Sequence, residues 1–145
     1  MVAAAPIDCY TDIIFVLDQS GSISSNSFNQ TKLFLAHLVV KLDIDRGYTQ
    51  VGFLSYSSRI ATTINLNAYS ATDMLQIAIY PAQYHGGSAN TAAALEHVRT
   101  TMLTPEAGDR SDVPNTVVVL TGGNSDNRTA TKVSINYTFA VNNSK

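Results

Sequence analysis

Cysteine is nearly absent from this 145-residue chain: Cys9 stands alone, so no internal disulfide can staple the fold, and cysteine usage leaves the redox compartment open. Charge is scarce as well. Only 14% of residues are charged against 45% hydrophobic, a balance that excludes a disordered polyelectrolyte. Neither sign dominates, and a net charge of -2 with a pI near 5.8 argues against nucleic-acid partners and polybasic membrane surfaces. No apolar run approaches the ~20 residues that a spanning helix needs, so no membrane insertion is expected. Met1-Val2-Ala3-Ala4-Ala5-Pro6 has small residues but neither a basic region nor an apolar core, which makes it a poor signal peptide. Repeats, low-complexity linkers and a G-x-x-x-x-G-K-[ST] phosphate loop are all missing.

The length suits one domain with a sizeable core. Residues 1–11 read as an N-terminal extension, 12–141 as the domain and 142–145 as a tail. Asp12-Ile13-Ile14-Phe15-Val16-Leu17-Asp18 is an apolar run of the kind found in buried parallel strands. Helix-start chemistry follows at Ser24 to Asn29. Phe28, Leu35, Val39 and Leu42 then recur at helical spacing, predicting a helix from Ser24 to about Leu42. Strands are expected over 50–56 and 58–64, with a short gap that makes the second an antiparallel edge. Short helices are expected over 72–79, stopped by Pro81, and over 91–102, with Ala94, Leu95, Val98 and Met102 inward. Thr116-Val117-Val118-Val119-Leu120 reads as a further apolar strand.

Strands alternating with helices imply a Rossmann-like, doubly wound α/β fold: a mostly parallel sheet with one antiparallel edge and helices on both faces. Ligands of such sheets bind beyond the carboxyl ends of the strands. Asp18 and Gly122 both fall just past strand ends, so one crevice should hold both.

The densest chemistry is Asp18-Gln19-Ser20-Gly21-Ser22, where an apolar strand delivers a carboxylate and two hydroxyls into a loop. These hard oxygen donors suit Mg²⁺, Mn²⁺ or Ca²⁺ rather than Zn²⁺. They also have plainer uses: Ser20 and Ser22 can cap the first helix, and Asp18 can accept backbone N–H bonds without a metal. Gly86-Gly87 and Gly122-Gly123 fit tight turns. His37, His85 and His97 are spread over a helix, a turn and another helix, which does not suit a zinc site. A haloacid-dehalogenase-type phosphotransferase also places an Asp after its first strand but needs a second Asp two residues on, where this chain has Ser20. No nucleophile elbow accompanies a suitably placed His and acid. An enzyme is not expected.

Four segments, in order, resemble the von Willebrand factor A domain: residues 9–18, Val51-Gly52-Phe53-Leu54-Ser55-Tyr56-Ser57, residues 86–95 and residues 117–125. The resemblance implies a five-ligand metal-ion-dependent adhesion site, formed by an Asp and two Ser of the first loop, a Thr of the second and an Asp of the third. Asp18, Ser20 and Ser22 match the first loop. The second loop reads Gly86-Gly87-Ser88-Ala89-Asn90-Thr91 against G-G-x-T-N-T, which puts Ala89 at the Thr position. The third reads Thr121-Gly122-Gly123 against T-D-G, which puts Gly122 at the Asp position. A remnant site is therefore expected. Asp18 would leave a divalent ion one formal counter-charge, and losing the second carboxylate costs on the order of several kcal/mol. Ser88, Thr91 or Asp126 are the candidate substitutes. No tightly bound cofactor is expected, with Mg²⁺, Mn²⁺ or Ca²⁺ held weakly at most.

About a dozen residues separate Gly123 from Ile135-Asn136-Tyr137-Thr138-Phe139-Ala140-Val141, which resembles the family's next strand, so the connecting helix should be vestigial. The domain is then incomplete at its C-terminal end, either a fragment or a truncated variant. Four N-x-[ST] sequons, at Asn29, Asn127, Asn136 and Asn142, point to an extracellular setting with possible glycosylation. The resemblance implies a protein-binding adhesion module that recognises a collagen-like or other matrix or cell-surface protein, with impaired or absent cation dependence. The alternative is a degenerate structural module of a multi-domain matrix protein.

Overall fold

A computed structural model of the chain describes residues 9–122. The sheet has four strands in the order β3-β2-β1-β4. β1 (Thr11–Asp18) runs parallel to both β2 (Thr49–Tyr56) and β4 (Asn115–Leu120). β3 (Ile60–Ile64) pairs antiparallel with β2, with an irregularity at Ser55/Tyr56. This is the mixed, mostly parallel sheet expected. β1 is central, and its apolar run is buried on both faces. Phe15 and Leu17 enter one core cluster, and Ile14 and Val16 the other.

The two faces are covered by different helices. α1 (Ser25–Leu38) and α2 (Thr72–Ile79) cover one face, putting Phe28, Leu35, Leu75 and Ile79 against Phe15 and Phe53. α3 (Thr91–His97) covers the other, where Ala94, Val98 and Met102 pack on Ile14, Val16 and Leu54. Each fully buried Leu or Ile contributes about 1.5–3 kcal/mol relative to exposure, so the two clusters hold the sheet ends, and hence the loops above them, in place.

Three boundaries differ from the sequence expectation. α1 ends at Leu38 and tightens into a 3₁₀ turn over Val39–Lys41, so Leu42 lies past the helix in extended backbone. The β-branched pair Val39-Val40 gives poor support to a last α-helical turn, and such ends commonly tighten. The predicted helix over 91–102 is α-helical only to His97 and widens into a π-type turn over Val98–Met102, which still buries Val98 and Met102. The β2–β3 connection takes three residues, closed by Ser57 N–H donating to Arg59 O at 3.0 Å, so β3 starts at Ile60. β4, read as a buried strand, is half-exposed along Val117 to Leu120 and forms the sheet's edge among the described residues. The expected strand over 135–141, Asp126, and the sequons at Asn127, Asn136 and Asn142 lie outside the described residues. Asn29 is exposed on α1.

Candidate functional site

β1 ends by placing Asp18, fully buried, at the carboxyl edge of the sheet. The loop turns back on that side chain. Ser20 N–H donates to Asp18 Oδ1 at 2.8 Å, the Asp-turn geometry expected when a carboxylate organises its own loop. Ser20 Oγ and Ser22 Oγ are 2.7 Å apart, and Ser22 Oγ donates to Asp18 Oδ2 at a longer 3.5 Å. If Ser22 gives its one proton to Asp18, Ser20 must donate to Ser22. The helix-capping role considered for Ser20 and Ser22 belongs instead to Ser24, whose Oγ accepts from Ser27 N–H at 3.0 Å. Ser20 and Ser22 sit too early in the loop to reach those orphan amides.

The second loop is joined to the first through backbone. Gly21 N–H donates to Gly87 O at 2.7 Å, and Gly86 N–H to Gln19 O at 3.0 Å. Gly86 and Gly87 have φ of 68° and 88°, a left-handed backbone that glycine adopts without penalty. The Tyr84 hydroxyl reaches Ile23 O at 2.9 Å and Ser20 O at 3.3 Å, so it also holds the first loop. Ala89 is buried and brings no oxygen. Of the candidate substitutes, Ser88 is exposed, and Thr91 Oγ1 is committed to Tyr56 Oη at 2.9 Å.

The third loop adds a residue that the sequence reading did not single out. Thr121 Oγ1 donates to Asp18 Oδ2 at 2.7 Å, so both carboxylate oxygens accept hydrogen bonds from the chain. The signal for it was the hydroxyl beside Gly122, one residue beyond β4. Parallel pairing of β1 with β4, ending at Leu17↔Leu120, brings the two side chains together. Gly122 does not have positive φ. A Cβ there would instead lie 2.3 Å from Ile23 Cγ2, so space, not backbone sign, limits the residue at this position.

Tyr56 is the second missed residue. Its ring is buried beneath the crevice and its hydroxyl lies close to the Asp18 charge. Burial above all, then Asp18, pushes its pKa above the usual tyrosine value, partly offset by hydrogen bonding with Thr91 and Thr121. The phenol is therefore neutral at physiological pH.

The donors that converge are one carboxylate and the hydroxyls of Ser20, Ser22 and Thr121. The two positions to which the resemblance assigns further ligands, Ala89 and Gly122, have no side-chain oxygen. Among the described residues no three His, Cys, Asp or Glu side chains group as a metal site. His37 is exposed on α1, His85 meets Gln19, and His97 approaches Thr63. Among the described residues, the side-chain groups that meet at the crevice are one carboxylate and three hydroxyls.

The von Willebrand factor type A domain family model matches residues 12–142. The chain is 38% identical over 112 residues to von Willebrand factor A domain-containing protein 2 of Xenopus laevis, covering 77% of this chain and 14% of that protein. It is 36% identical over 124 residues to the collagen alpha-1(XX) chain of Mus musculus, covering 84% and 9%. It is 37% identical over 141 residues to the transmembrane cell adhesion receptor mua-3 of Caenorhabditis elegans, covering 90% and 4%. The chain thus spans a small part of each of these proteins. Among solved structures, proximal thread matrix protein 1 from the mussel byssus superposes with a TM-score of 0.84 at 22% identity, over 93% of this chain and 36% of that one. A further structure of that protein, with a zinc-occupied MIDAS motif, superposes at 0.81. At this identity the likeness is one of fold.

Proposed function

Because the chain belongs to the von Willebrand factor type A domain family, we propose that it is an extracellular protein-binding module. It recognises a collagen-like or other matrix or cell-surface protein, with little or no dependence on a divalent cation. Collagen and adhesion-receptor relatives support the class of partner. The observation that carries the cation-independent reading is the state of Asp18. Its oxygens accept from Ser20 N–H, Thr121 Oγ1 and, at longer range, Ser22 Oγ. An ion entering beside Asp18, Ser20 and Ser22 would compete with these internal donors and meet one formal negative charge. The mussel protein's zinc-occupied motif shows that this fold can hold such an ion. In this chain we assign weak divalent binding at most. The hydrogen-bonded carboxylate then serves as the organising centre of the crevice loops, and binding rather than catalysis is the function.

The test is attachment of the folded domain to immobilised fibrillar collagen, with Mg²⁺ and with EDTA. Binding retained in EDTA is the expected result. Binding abolished by EDTA and restored by Mg²⁺ would overturn cation independence. Failure to bind under either condition would overturn collagen as the partner.

A further inference from the structure

The outer side of the α1–α2 layer carries apolar side chains that the crevice loops do not use. Gln76 Nε2 donates to Ala36 O at 2.9 Å, and Lys32 Nζ donates to Tyr80 O at 2.9 Å and Ala82 O at 2.8 Å. Rising numbers on α1 thus meet falling numbers on α2. The helices run antiparallel, with the earlier turns of α1 beside the end of α2. Leu33 and Val40 on the α1 side, and Ile77 and Tyr80 on the α2 side, all stand exposed. Leu33 keeps 44% of its surface in water and Tyr80 39%, and the Lys32 bonds bring their two turns together. Single exposed apolar residues need no explanation, but several along the seam of two helices make a ridge that calls for a cover.

Asn29 stands at the end of this ridge. Asn29, Lys32, Leu33 and Ala36 are spaced i, i+3, i+4 and i+7, so they share the flank of α1 that faces α2. A helical side chain leans toward the start of its helix, which lays Leu33 over the turn that carries Asn29. Asn29 itself is exposed, and its amide has no hydrogen-bond partner among the described residues. It opens the sequon Asn29-Gln30-Thr31. In the folded helix Thr31 Oγ1 donates to Ser27 O at 2.9 Å, so the sequon's hydroxyl is engaged there. Modification therefore belongs to the extended chain, before α1 forms. Folding then turns Phe28 into the core and leaves Asn29 facing solvent, with room for a bulky group.

We infer that Asn29 carries an N-linked glycan whose first sugars cover Leu33 and Tyr80. The inference rests on the reading that the module is extracellular, and it makes the α1–α2 side a shielded face rather than a partner-binding one. In the transfer, Asn29 Nδ2 bonds to the anomeric carbon of a lipid-linked oligosaccharide diphosphate. The carbon–oxygen bond to the diphosphate breaks, the lipid diphosphate leaves with that electron pair, and one amide proton passes to a base of the transferase. A sugar so attached packs its C–H groups on an aliphatic side chain or a tyrosine ring while its hydroxyls stay in water. It is bulky and solubilising, which suits a place beside exposed apolar surface. Covalent attachment at the ridge also holds the sugar there at high effective concentration, an advantage that a second copy of the chain lacks.

The test uses the full chain, secreted from cultured animal cells behind a heterologous leader. Enzymatic deglycosylation in oxygen-18 water converts each occupied asparagine to labelled aspartate, and peptide mass spectrometry reads Asn29 separately from the other sequons. Most secreted molecules are expected to carry the label at that residue. With the glycan trimmed to one sugar, the Leu33 methyl and Tyr80 ring resonances should be displaced relative to Asn29→Gln. The Leu54 and Val98 methyls, in the core of the opposite sheet face, should be unchanged as the control for folding. Secreted protein with unlabelled Asn29 would overturn the inference. So would an occupied Asn29 whose Leu33 and Tyr80 resonances match those of Asn29→Gln. A bare Asn29 together with a dimer that Leu33→Ser dissolves would give the ridge to a second copy and overturn it likewise. Collagen attachment separates the two levels. If the domain glycosylated at Asn29 does not attach, the glycan assignment stands and the choice of partner fails. If a domain with bare Asn29 attaches, the glycan assignment fails and the functional reading stands.

Discussion

Thr121 and Asp18, 103 positions apart in sequence, meet at 2.7 Å, with the Thr121 hydroxyl donating to the buried carboxylate. This contact joins the first and third crevice loops through a hydrogen bond to a buried carboxylate. Thr121→Val removes the donor while keeping the shape. We expect a loss of about 1–3 kcal/mol in urea denaturation, since a buried carboxylate loses one of its donors. A loss below about 0.5 kcal/mol would mean that water replaces the hydroxyl and that the contact does not hold the loops.

Millimolar Mg²⁺ or Mn²⁺ should shift the melting temperature by less than about 2 °C, because stabilisation by mass action needs a concentration well above Kd. Differential scanning fluorimetry with each ion and with EDTA checks this. A larger rise in both ions, abolished by Asp18→Ala, would show that Asp18, Ser20, Ser22 and other oxygens complete a working site.

Alkaline stability reports on Tyr56. Its pKa is raised in the fold, chiefly by burial and then by Asp18, while the unfolded chain ionises near the ordinary value of about 10. Above that pH the unfolded state binds fewer protons than the native state, so this tyrosine's contribution is complete below pH ~10 and is lost as pH rises through the folded pKa. Tyr56→Phe should lower stability near neutral pH, where the bond to Thr91 is lost, and should flatten the decline above pH ~10. Urea midpoints measured across that range decide it. An equally steep alkaline decline in the Phe variant would assign the effect to other tyrosines.

The sheet and its two covering layers were legible because β1 is continuously apolar from Ile13 to Leu17 and because Phe28 and Leu35 keep helical spacing; burial then decides the outcome. Asp18, Ser20 and Ser22 were legible as a cluster because all three come from five consecutive residues. Thr121 and Tyr56 were not. Their roles depend on strand order, which puts β4 and β2 on either side of β1 and so brings both side chains to Asp18. No local pattern encodes that adjacency. The Ile23–Gly122 contact is equally hidden, since it arises from the first loop crossing over the third.

That contact sets the terms of a rescue. If Ala89 and Gly122 occupy vacated ligand positions, Ala89→Thr with Gly122→Asp should restore the missing hydroxyl and carboxylate. Gly122 has no left-handed φ to forbid a side chain, but the new Cβ would lie 2.3 Å from Ile23 Cγ2. Forcing it in should cost about 1–3 kcal/mol, so the double variant should be destabilised. Adding Ile23→Ala removes the obstructing methyl. Ile23 is half-buried against the α1-side core, so this change has its own cost, below the ~2–5 kcal/mol typical of fully buried Ile→Ala. The triple variant should therefore be less stable than the parent without metal and should regain stability in millimolar Mg²⁺, the Thr and Asp substitutions acting together because they share one ion. Calorimetric titration with Mg²⁺ on variants shown to be folded by near-ultraviolet circular dichroism is the measurement. If the folded triple variant binds Mg²⁺ no better than the parent, Ala89 and Gly122 are not the ligand positions, and the remnant-site reading of Asp18, Ser20 and Ser22 falls with them.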